Sequence, residues 1–369
     1  MYIKSIRVKN YRNYDQLKID FDRKLNIIVG DNAQGKTNLL EAVYVSGFGK
    51  SFRTNKDSDL VNFKEQFTSV KLEVVRDNGL EEWVEYRINQ KSNKEFLING
   101  VNITKISDLL GTLNIILFYP DDLKLIKESP VERRKFINRE LSHISKSYCV
   151  DIIEYNKILN QRNELLKKII YKPEFRDMLE VWDEQLADKG TRIIIRRLKF
   201  IKDLDLISRK IHSDITKDKE KLSIEYITHV KNFENYDTIK SELIFMLKKN
   251  LDMDIKRGFT SVGPHRDDID IKINQISIKT FGSQGQQRTA ALSLKLSEIE
   301  IIKNDVGEYP ILLLDDVMSE LDINRQKDLI YALRDVQTII TTTDVKNLLD
   351  DYINASKLIK IKNGHVLNH

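Results

Sequence analysis

Two short stretches of this chain could handle a triphosphate together, and most of the sequence lies between them. Gly30-Asp31-Asn32-Ala33-Gln34-Gly35-Lys36-Thr37 fits the pattern Gly-x-x-x-x-Gly-Lys-Ser/Thr. A loop of this kind offers backbone N–H groups and a helix N-terminus to anionic oxygens. Gly30 and Gly35 let the backbone wrap closely, Lys36 is expected to bridge the β- and γ-phosphates, and the Thr37 hydroxyl is expected to ligate Mg²⁺. Downstream, Pro310 to Asp316 reads as a buried apolar strand ending in two carboxylates. Asp315 is placed to hold the magnesium shell, and Asp316 beside it to polarise an attacking water. Uncompensated charge is costly to bury, so a metal and a phosphate explain the pair better than packing does; a solvated Asp-Asp turn is the alternative.

A third stretch, Phe281-Gly282-Ser283-Gln284-Gly285-Gln286-Gln287-Arg288, opens a helix whose apolar face is Leu292, Leu296 and Ile299. Ser283 as cap, Gly285 for close backbone approach and the helix N-terminus together make a second phosphate-binding end. One protomer already has its phosphate loop, so a second end points to a symmetric dimer in which this segment completes the partner's site. On these residues alone an ordinary capped helix after a glycine turn fits equally well.

The elements that must position these stretches follow from periodicity. Up to about residue 113 the period is that of strands, with Ile6 and Val8, then Leu17, Ile19 and Phe21, then Val70, Leu72 and Val74, then Val84, Tyr86 and Ile88. Asp77-Asn78-Gly79 and Asn99-Gly100 supply hairpin turns. This predicts a β-rich lobe around one buried strand, Leu25 to Val29, with a helix after Lys36 whose face is Leu39, Leu40, Val43 and Tyr44. From about 122 to 255 the texture changes to long charged helices. Ile152, Tyr155, Leu159, Leu166 and Ile169 sit near heptad spacing interrupted by Arg162, and Phe175, Leu179, Trp182, Leu186 and Ile193 follow Pro173. An antiparallel helical hairpin or small bundle fits both runs. From about 256 strand character returns at Ile269, Ile271 and Ile273, and two βα-like units close the chain. The fold expected is α/β, with a head in two parts, 1–121 and 256–369, and an inserted all-α domain at 122–255.

Composition limits the function classes. The 369 residues are 41% hydrophobic and 32% charged, ordinary for a soluble protein, and no window is apolar for long enough to span a bilayer. The single cysteine, Cys149, excludes an internal disulfide, and the first residues lack the apolar region of a signal peptide, so a cytoplasmic setting without a membrane role is expected. A net charge of +5, from 61 basic and 56 acidic residues, is too small to argue for nucleic acid. Local density says more: Arg133, Arg134, Lys135 and Arg139, and then Arg192, Arg196, Arg197, Lys199 and Lys202, crowd cations on short helical stretches that are either solvated faces or a contact for DNA.

The phosphate loop, the Ser283 segment, the Asp-Asp strand and Ser319-Glu320-Leu321-Asp322 occur in the order of an ABC-type ATPase head, and in detail the chain resembles the RecF family of bacterial recombination mediators. The resemblance is carried by Asn10-Tyr11-Arg12-Asn13-Tyr14, Gly30 to Ala42, Ser51-Phe52-Arg53, Pro120 to Ile137, Gly263-Pro264-His265-Arg266-Asp267-Asp268, Ser283 to Thr289 and Leu312 to Asp322. It implies ATP on residues 30–37 with Arg12 and Asn13 close by, Mg²⁺ on Thr37 and Asp315, and Asp316 as the hydrolytic carboxylate. It further implies Ser283, Gly285 and Gln286 on the partner's γ-phosphate, Asp322 in the loop that lines the dimer seam, and Arg53 where related chromosome-organising ATPases couple nucleotide to DNA. The implied function is an ATP-gated DNA clamp, a weak DNA-dependent ATPase acting with RecO and RecR to deliver RecA to gapped DNA.

Departures from the pattern are also legible. The Leu-Ser-Gly-Gly-Gln motif of transporter ATPases reads here as Gly282-Ser283-Gln284-Gly285-Gln286, and no histidine follows Thr338 to Thr343. With an Asp as base, this predicts slow turnover. Glu128 stands where glycine is usual and Asn138 where aspartate is usual, and His265, without a second histidine nearby, is expected to be structural. The ATPase subunit of a membrane transporter remains the rival reading. Long coiled-coil arms are excluded by length, and a dead site is disfavoured by the presence of Lys36, Thr37, Asp315 and Asp316.

Overall fold

Alternating apolar and polar residues fold as half-buried antiparallel strands, and unbroken apolar runs as parallel strands covered on both faces. This chain uses both. The computed structural model describes residues 1–320, 335–344 and 355–367, with positions 326, 329, 333 and 353. Its contacts divide the chain into two units, 1–122 with 295–369, and 123–294. In the first lie β1 (Tyr2–Tyr11), β2 (Tyr14–Asp20), β3 (Leu25–Val29), α1 (Lys36–Phe48), β4 (Phe67–Val75), β5 (Glu81–Asn89), β6 (Lys94–Ile98), β7 (Val101–Ile103), α2 (Ile106–Leu109) and β8 (Ile115–Phe118). The second holds α3 (Lys124–Lys127), α4 (Pro130–Ile144), α5 (Lys146–Ile169), α6 (Leu179–Thr216), β9 (Leu222–Ile227), α7 (Tyr236–Lys249), α8 (Leu251–Arg257), β10 (Asp268–Ile273), β11 (Ile276–Ser277) and α9 (Ile278–Phe281). The division falls within α10 (Gln284–Val306), after which β12 (Ile311–Asp315), β13 (Thr338–Thr342), β14 (Lys357–Lys362) and β15 (His365–Leu367) belong to the first unit.

The first unit has two sheets. One, ordered β2-β1-β4-β5-β6-β7, is antiparallel and built from the alternating runs, with Val8 opposite both Leu17 and Val70, and Val70 opposite Tyr86. The other, β15-β14-β3-β13-β12-β8, is parallel apart from the β14–β15 hairpin. Leu25 to Val29 therefore lies in the parallel sheet and not at the centre of the β-rich lobe where periodicity put it. Its unbroken apolar run demands cover on both faces: Ile27, Ile28, Leu312, Leu313, Leu314 and Ile339 have no exposed surface. Each such burial contributes about 1.5–3 kcal/mol. Gln337 ties this sheet to the other, since its Nε2 donates to Ile3 O and its Oε1 accepts from Ile3 N. Because the strands run parallel, their C-terminal ends share one edge, with Val29 opposite Thr342 and Asp315 opposite Thr341. Ligands of open α/β sheets bind at such an edge.

In the second unit, ion pairs between α5 and α6 set an antiparallel register: Arg162 meets Asp183, and Asp151 meets Lys189 and Arg196. Arg162, which breaks the heptad run, has no exposed surface and binds Asp183, Asp254 and Thr260. Ala187, Ile194, Val230, Ile239, Leu243 and Val262 form a core beneath α6. The segment 122–255 is thus a packed unit, helical except at β9. That strand pairs with β10, Ile224 facing Ile271 and Leu222 facing Ile273, while β11 extends the sheet. This pairing draws the strands after residue 256 into the second unit and moves the junction from 255/256 to 294/295.

Candidate nucleotide site

β3 ends at Val29 and α1 begins at Lys36, so residues 30–35 must turn a strand into a helix whose first N–H groups face the end of the sheet. Left-handed backbone at Ala33 (φ 62°) and Gly35 (φ 110°) makes the turn. A Cβ on Gly35 would stand 2.6 Å from Asn13 Nδ2, and one on Gly30 only 2.3 Å from Ile361 O. The loop is clamped from both sides: Asn13 Nδ2 donates to Gln34 O (3.1 Å), Tyr14 Oη to Gly35 O (2.8 Å), and Gly364 N to Gln34 O (3.3 Å). Asp31, Asn32 and Ala33 are exposed at its rim. Lys36 Nζ donates to Gly30 O (2.6 Å) and Asp31 O (2.9 Å). Burial pulls the pKa of this ammonium down, against the opposing pull of Asp316, Asp315 and Asp31.

The expected metal ligands touch. Thr37 Oγ1 donates to Asp315 Oδ1 (2.9 Å), and the same oxygen accepts from Thr341 Oγ1 (2.8 Å). Asp316 sits in left-handed backbone (φ 54°) with its N–H on Thr341 Oγ1 (3.0 Å). Burial pushes the Asp315 pKa up, and hydrogen bonds from Thr341 and Thr37 work against that rise. A hydroxyl and a carboxylate at the mouth of a phosphate loop are hard oxygen donors of the kind Mg²⁺ takes, together with substrate phosphates. Among the described residues no group of three His, Cys, Asp or Glu side chains could hold a metal by itself.

Arg12 does not point along the loop. It donates to both oxygens of Glu41 (2.9 and 2.8 Å), a carboxylate on α1 with no exposed surface, to which Ser51 Oγ also donates. Arg53 Nη1 lies 3.8 Å from Glu41 and donates to Asn38 Oδ1 (2.6 Å), while Asn38 Nδ2 donates to Asn13 Oδ1 (2.7 Å). Arg12, Asn13 and Arg53 are therefore members of one network along α1.

Ser283, Gly285 and Gln286 lie in the second unit. Gln286 N donates to Ser283 Oγ (3.2 Å) and Ser283 N to Gln286 Oε1 (3.0 Å), a reciprocal capping box. The helix beyond is not amphipathic as expected. From Ala290 to Ile299 every residue is buried, including Ser293, Ser297 and the ion pair of Lys295 with Glu298 (3.2 Å). Asp322 lies outside the described residues.

The basic clusters are mostly committed within their own unit. Arg133 donates to Asp268, Arg196 to Asp151 and Arg139 to Glu140, while the buried Arg197 donates to Pro264 O and to Asn138 Oδ1. Lys199 and Lys202 stand exposed. Asn138 replaces a carboxylate with a neutral acceptor, taking Tyr148 Oη (2.7 Å) as well as Arg197. Glu128 has extended backbone (φ −88°), open to any residue, and its carbonyl accepts from Arg133. His265 bonds to Tyr155 Oη (2.7 Å) and Thr260 O (3.0 Å), and burial pushes its pKa down to about 4.

Sequence reasoning missed Thr341 and Glu41. Thr341 lies within the Thr338 to Thr343 strand, where the sequence marks only that no histidine follows, and Glu41 stands within the Gly30 to Ala42 stretch with nothing local to mark it as buried.

Comparison with known proteins shows the family. The family model described as the RecF/RecN/SMC N terminal domain matches residues 2–366. A DNA replication and repair protein RecF from Clostridium tetani is 45% identical over 371 residues, covering all of both chains, and one from Alkaliphilus oremlandii is 48% identical over 354 residues, 95% of each. A solved structure of the recombination mediator protein RecF with ATP, described in the RecFOR pathway, superposes with a TM-score of 0.92 at 41% identity, covering 99% of this chain and 97% of that one. An Smc head bound to the C-winged helix domain of ScpA shares the fold alone, at 16% identity and a TM-score of 0.57 over 99% of this chain and 96% of that one. On these grounds the chain belongs to the RecF family of DNA replication and repair proteins, with the SMC-like ABC ATPase head fold.

Proposed function

We propose that the chain is an ATP-driven DNA clamp in which triphosphate joins two copies. ATP binds residues 30–37 of one copy, and Ser283, Gly285 and Gln286 of the second meet its γ-phosphate, with Asp322 at the seam. Mg²⁺, when bound, neutralises the charge on the phosphate oxygens. Lys36 exchanges its two loop carbonyls for the β- and γ-phosphates, Thr37 and Asp315 hold the ion, and Asp316 orients the attacking water. Asn13 braces the loop through Gln34, and Arg12 holds Glu41 on the helix that follows it. The observation that carries this reading is the Thr37–Asp315–Thr341 cluster at the phosphate loop.

DNA is held through its phosphates by exposed cations such as Lys199 and Lys202, so affinity falls steeply with salt and shows little sequence preference. Slow, DNA-stimulated hydrolysis releases the clamp. The RecFOR description of the solved relatives supports RecO and RecR as partners, with RecA delivered to gapped DNA as the outcome. The curated relatives, DNA replication and repair proteins, do not favour the rival transporter reading. The test is ATP hydrolysis and mass by light scattering, each with and without duplex DNA, for the native chain, Lys36→Met and Ser283→Arg. ATP-dependent dimers lost in both variants are expected; equal dimerisation of Ser283→Arg, or indifference of both readouts to DNA, would remove the reading.

A further inference from the structure

Helix α6 ends in a left-handed turn at Lys217 (φ 53°) and Asp218 (φ 61°), and the chain folds back so that Glu220 meets His212. His212 has no exposed surface. Its Nε2 lies 3.1 Å from Glu220 Oε2 and its Nδ1 3.1 Å from Ser293 Oγ on α10. Glu220 Oε1 accepts from Gln286 Nε2 (3.0 Å), and the Gln286 carbonyl in turn accepts the Ser283 N–H. Two further bonds close the circuit along α10, from Ser293 Oγ to Thr289 O and from Thr289 Oγ1 to Gly285 O. A continuous path therefore runs from the Ser283 cap through Gln286, Glu220 and His212 back to the same helix.

The ends of a glutamine amide differ in what they offer, whereas a carboxylate only accepts. Glu220 thus fixes the amino end of Gln286 toward itself and leaves the carbonyl for Ser283 N–H. Ser283 Oγ already accepts from Gln286 N. Its one hydroxyl hydrogen has no acceptor among the described residues and is left for an oxygen from outside.

We propose that Glu220, held by His212, is a positioning residue that presents the Ser283 hydroxyl to the triphosphate of a second copy. The inference rests on the reading in which that helix tip meets the partner's γ-phosphate. It is tested on the full chain with Glu220→Ala, Glu220→Gln, Gln286→Ala, the Glu220→Ala/Gln286→Ala double variant and Ser283→Arg. The readouts are ATP-driven dimerisation by light scattering, binding of a fluorescent ATP analogue by dilute monomer, and hydrogen exchange at residues 283–289 without nucleotide.

Glu220→Ala is expected to keep analogue binding, to speed exchange in the first turn of α10, and to weaken dimerisation about ten-fold per site, as loss of a charge-assisted hydrogen bond does. Glu220→Gln keeps an oxygen for the amino end of Gln286, so it should recover most of the loss. In the Gln286→Ala background Glu220→Ala should add nothing. Full dimerisation of Glu220→Ala, failure of the glutamine to rescue, or an additive double variant overturns the proposal. If Ser283→Arg fails to dimerise while Glu220→Ala dimerises normally, only the role of Glu220 falls; if Ser283→Arg dimerises like the native chain, the trans reading falls and takes this inference with it.

Discussion

Replacing Thr341 with valine exchanges a hydroxyl for a methyl and changes little else at the end of β13. The hydroxyl donates to Asp315 Oδ1 at 2.8 Å and accepts from Asp316 N at 3.0 Å. A hydrogen bond to a charged group contributes about 1.5–3 kcal/mol, and a polar group left unmade costs about 1–3 kcal/mol when fully buried. The Asp316 N–H is only part-buried, so the lower ends of both ranges apply and the free chain should lose about 2.5 kcal/mol. The effect on the site is more telling. Thr341 supplies the first of the two hydrogen bonds that oppose the burial-driven rise of the Asp315 pKa. Without it, the Asp315 carboxylate loses a hydrogen bond that orients it and favours its charge, and the half-saturating Mg²⁺ concentration for ATP binding should rise about ten-fold, equivalent to ~1.4 kcal/mol, the low end for a hydrogen bond to a charged group. The assay is a Mg²⁺ titration of fluorescent ATP analogue binding, with Thr342→Val as control, since among the described residues the Thr342 hydroxyl bonds to the backbone of Asp344 and not to Asp315. Coincident Mg²⁺ midpoints for the two variants would refute the reasoning.

Other expectations follow from the same geometry. Burial raises the Asp315 pKa above its unfolded value, so the nucleotide-free chain loses stability as pH climbs from the unfolded value to the folded one and carries that loss at neutral pH. Asp315→Asn should remove this step, giving a higher urea midpoint than the native chain at neutral pH while stabilisation by Mg²⁺ and ATP disappears; a lower midpoint would contradict it. Arg162→Leu leaves Asp183 and Asp254 without their shared cation, so the second unit should lose about 3–5 kcal/mol in urea unfolding while nucleotide binding on the loop persists. Gly30→Ala drives a Cβ toward Ile361 O, and analogue binding should fall by more than about ten-fold, the effect of 1.4 kcal/mol or more. Unchanged binding would show that β14 yields without disturbing the loop.

The chemistry of the first unit is legible in the sequence because it is local. Gly30 to Thr37 and the Asp315-Asp316 pair each carry their role in a few consecutive residues, and unbroken apolar runs such as Ile311 to Leu314 announce parallel strands. What brings partners from afar is less legible. Glu41 looks like any helical glutamate until Arg12 and Ser51 close on it, and Thr341 acquires its role only through the β12–β13 register. The junction at 294/295 is hidden for a related reason, since β9 is six residues long and is recognisable only by its pairing with β10. Basic density is the least legible: Arg133, Arg196 and Arg197 read in one dimension as a solvated face or a DNA contact, and in three they are ion-pair and hydrogen-bond partners within their unit.

Mixing two disabled variants tests the trans site most directly. Lys36→Met lacks a working phosphate loop and Ser283→Arg a working helix tip, so each alone should stay monomeric with ATP. Together they can form a heterodimer with one intact composite site, and light scattering of the mixture should show ATP-dependent dimers with measurable hydrolysis. If the mixture remains as monomeric and inactive as its components, the triphosphate is not shared between copies, and the clamp proposed for this chain does not exist.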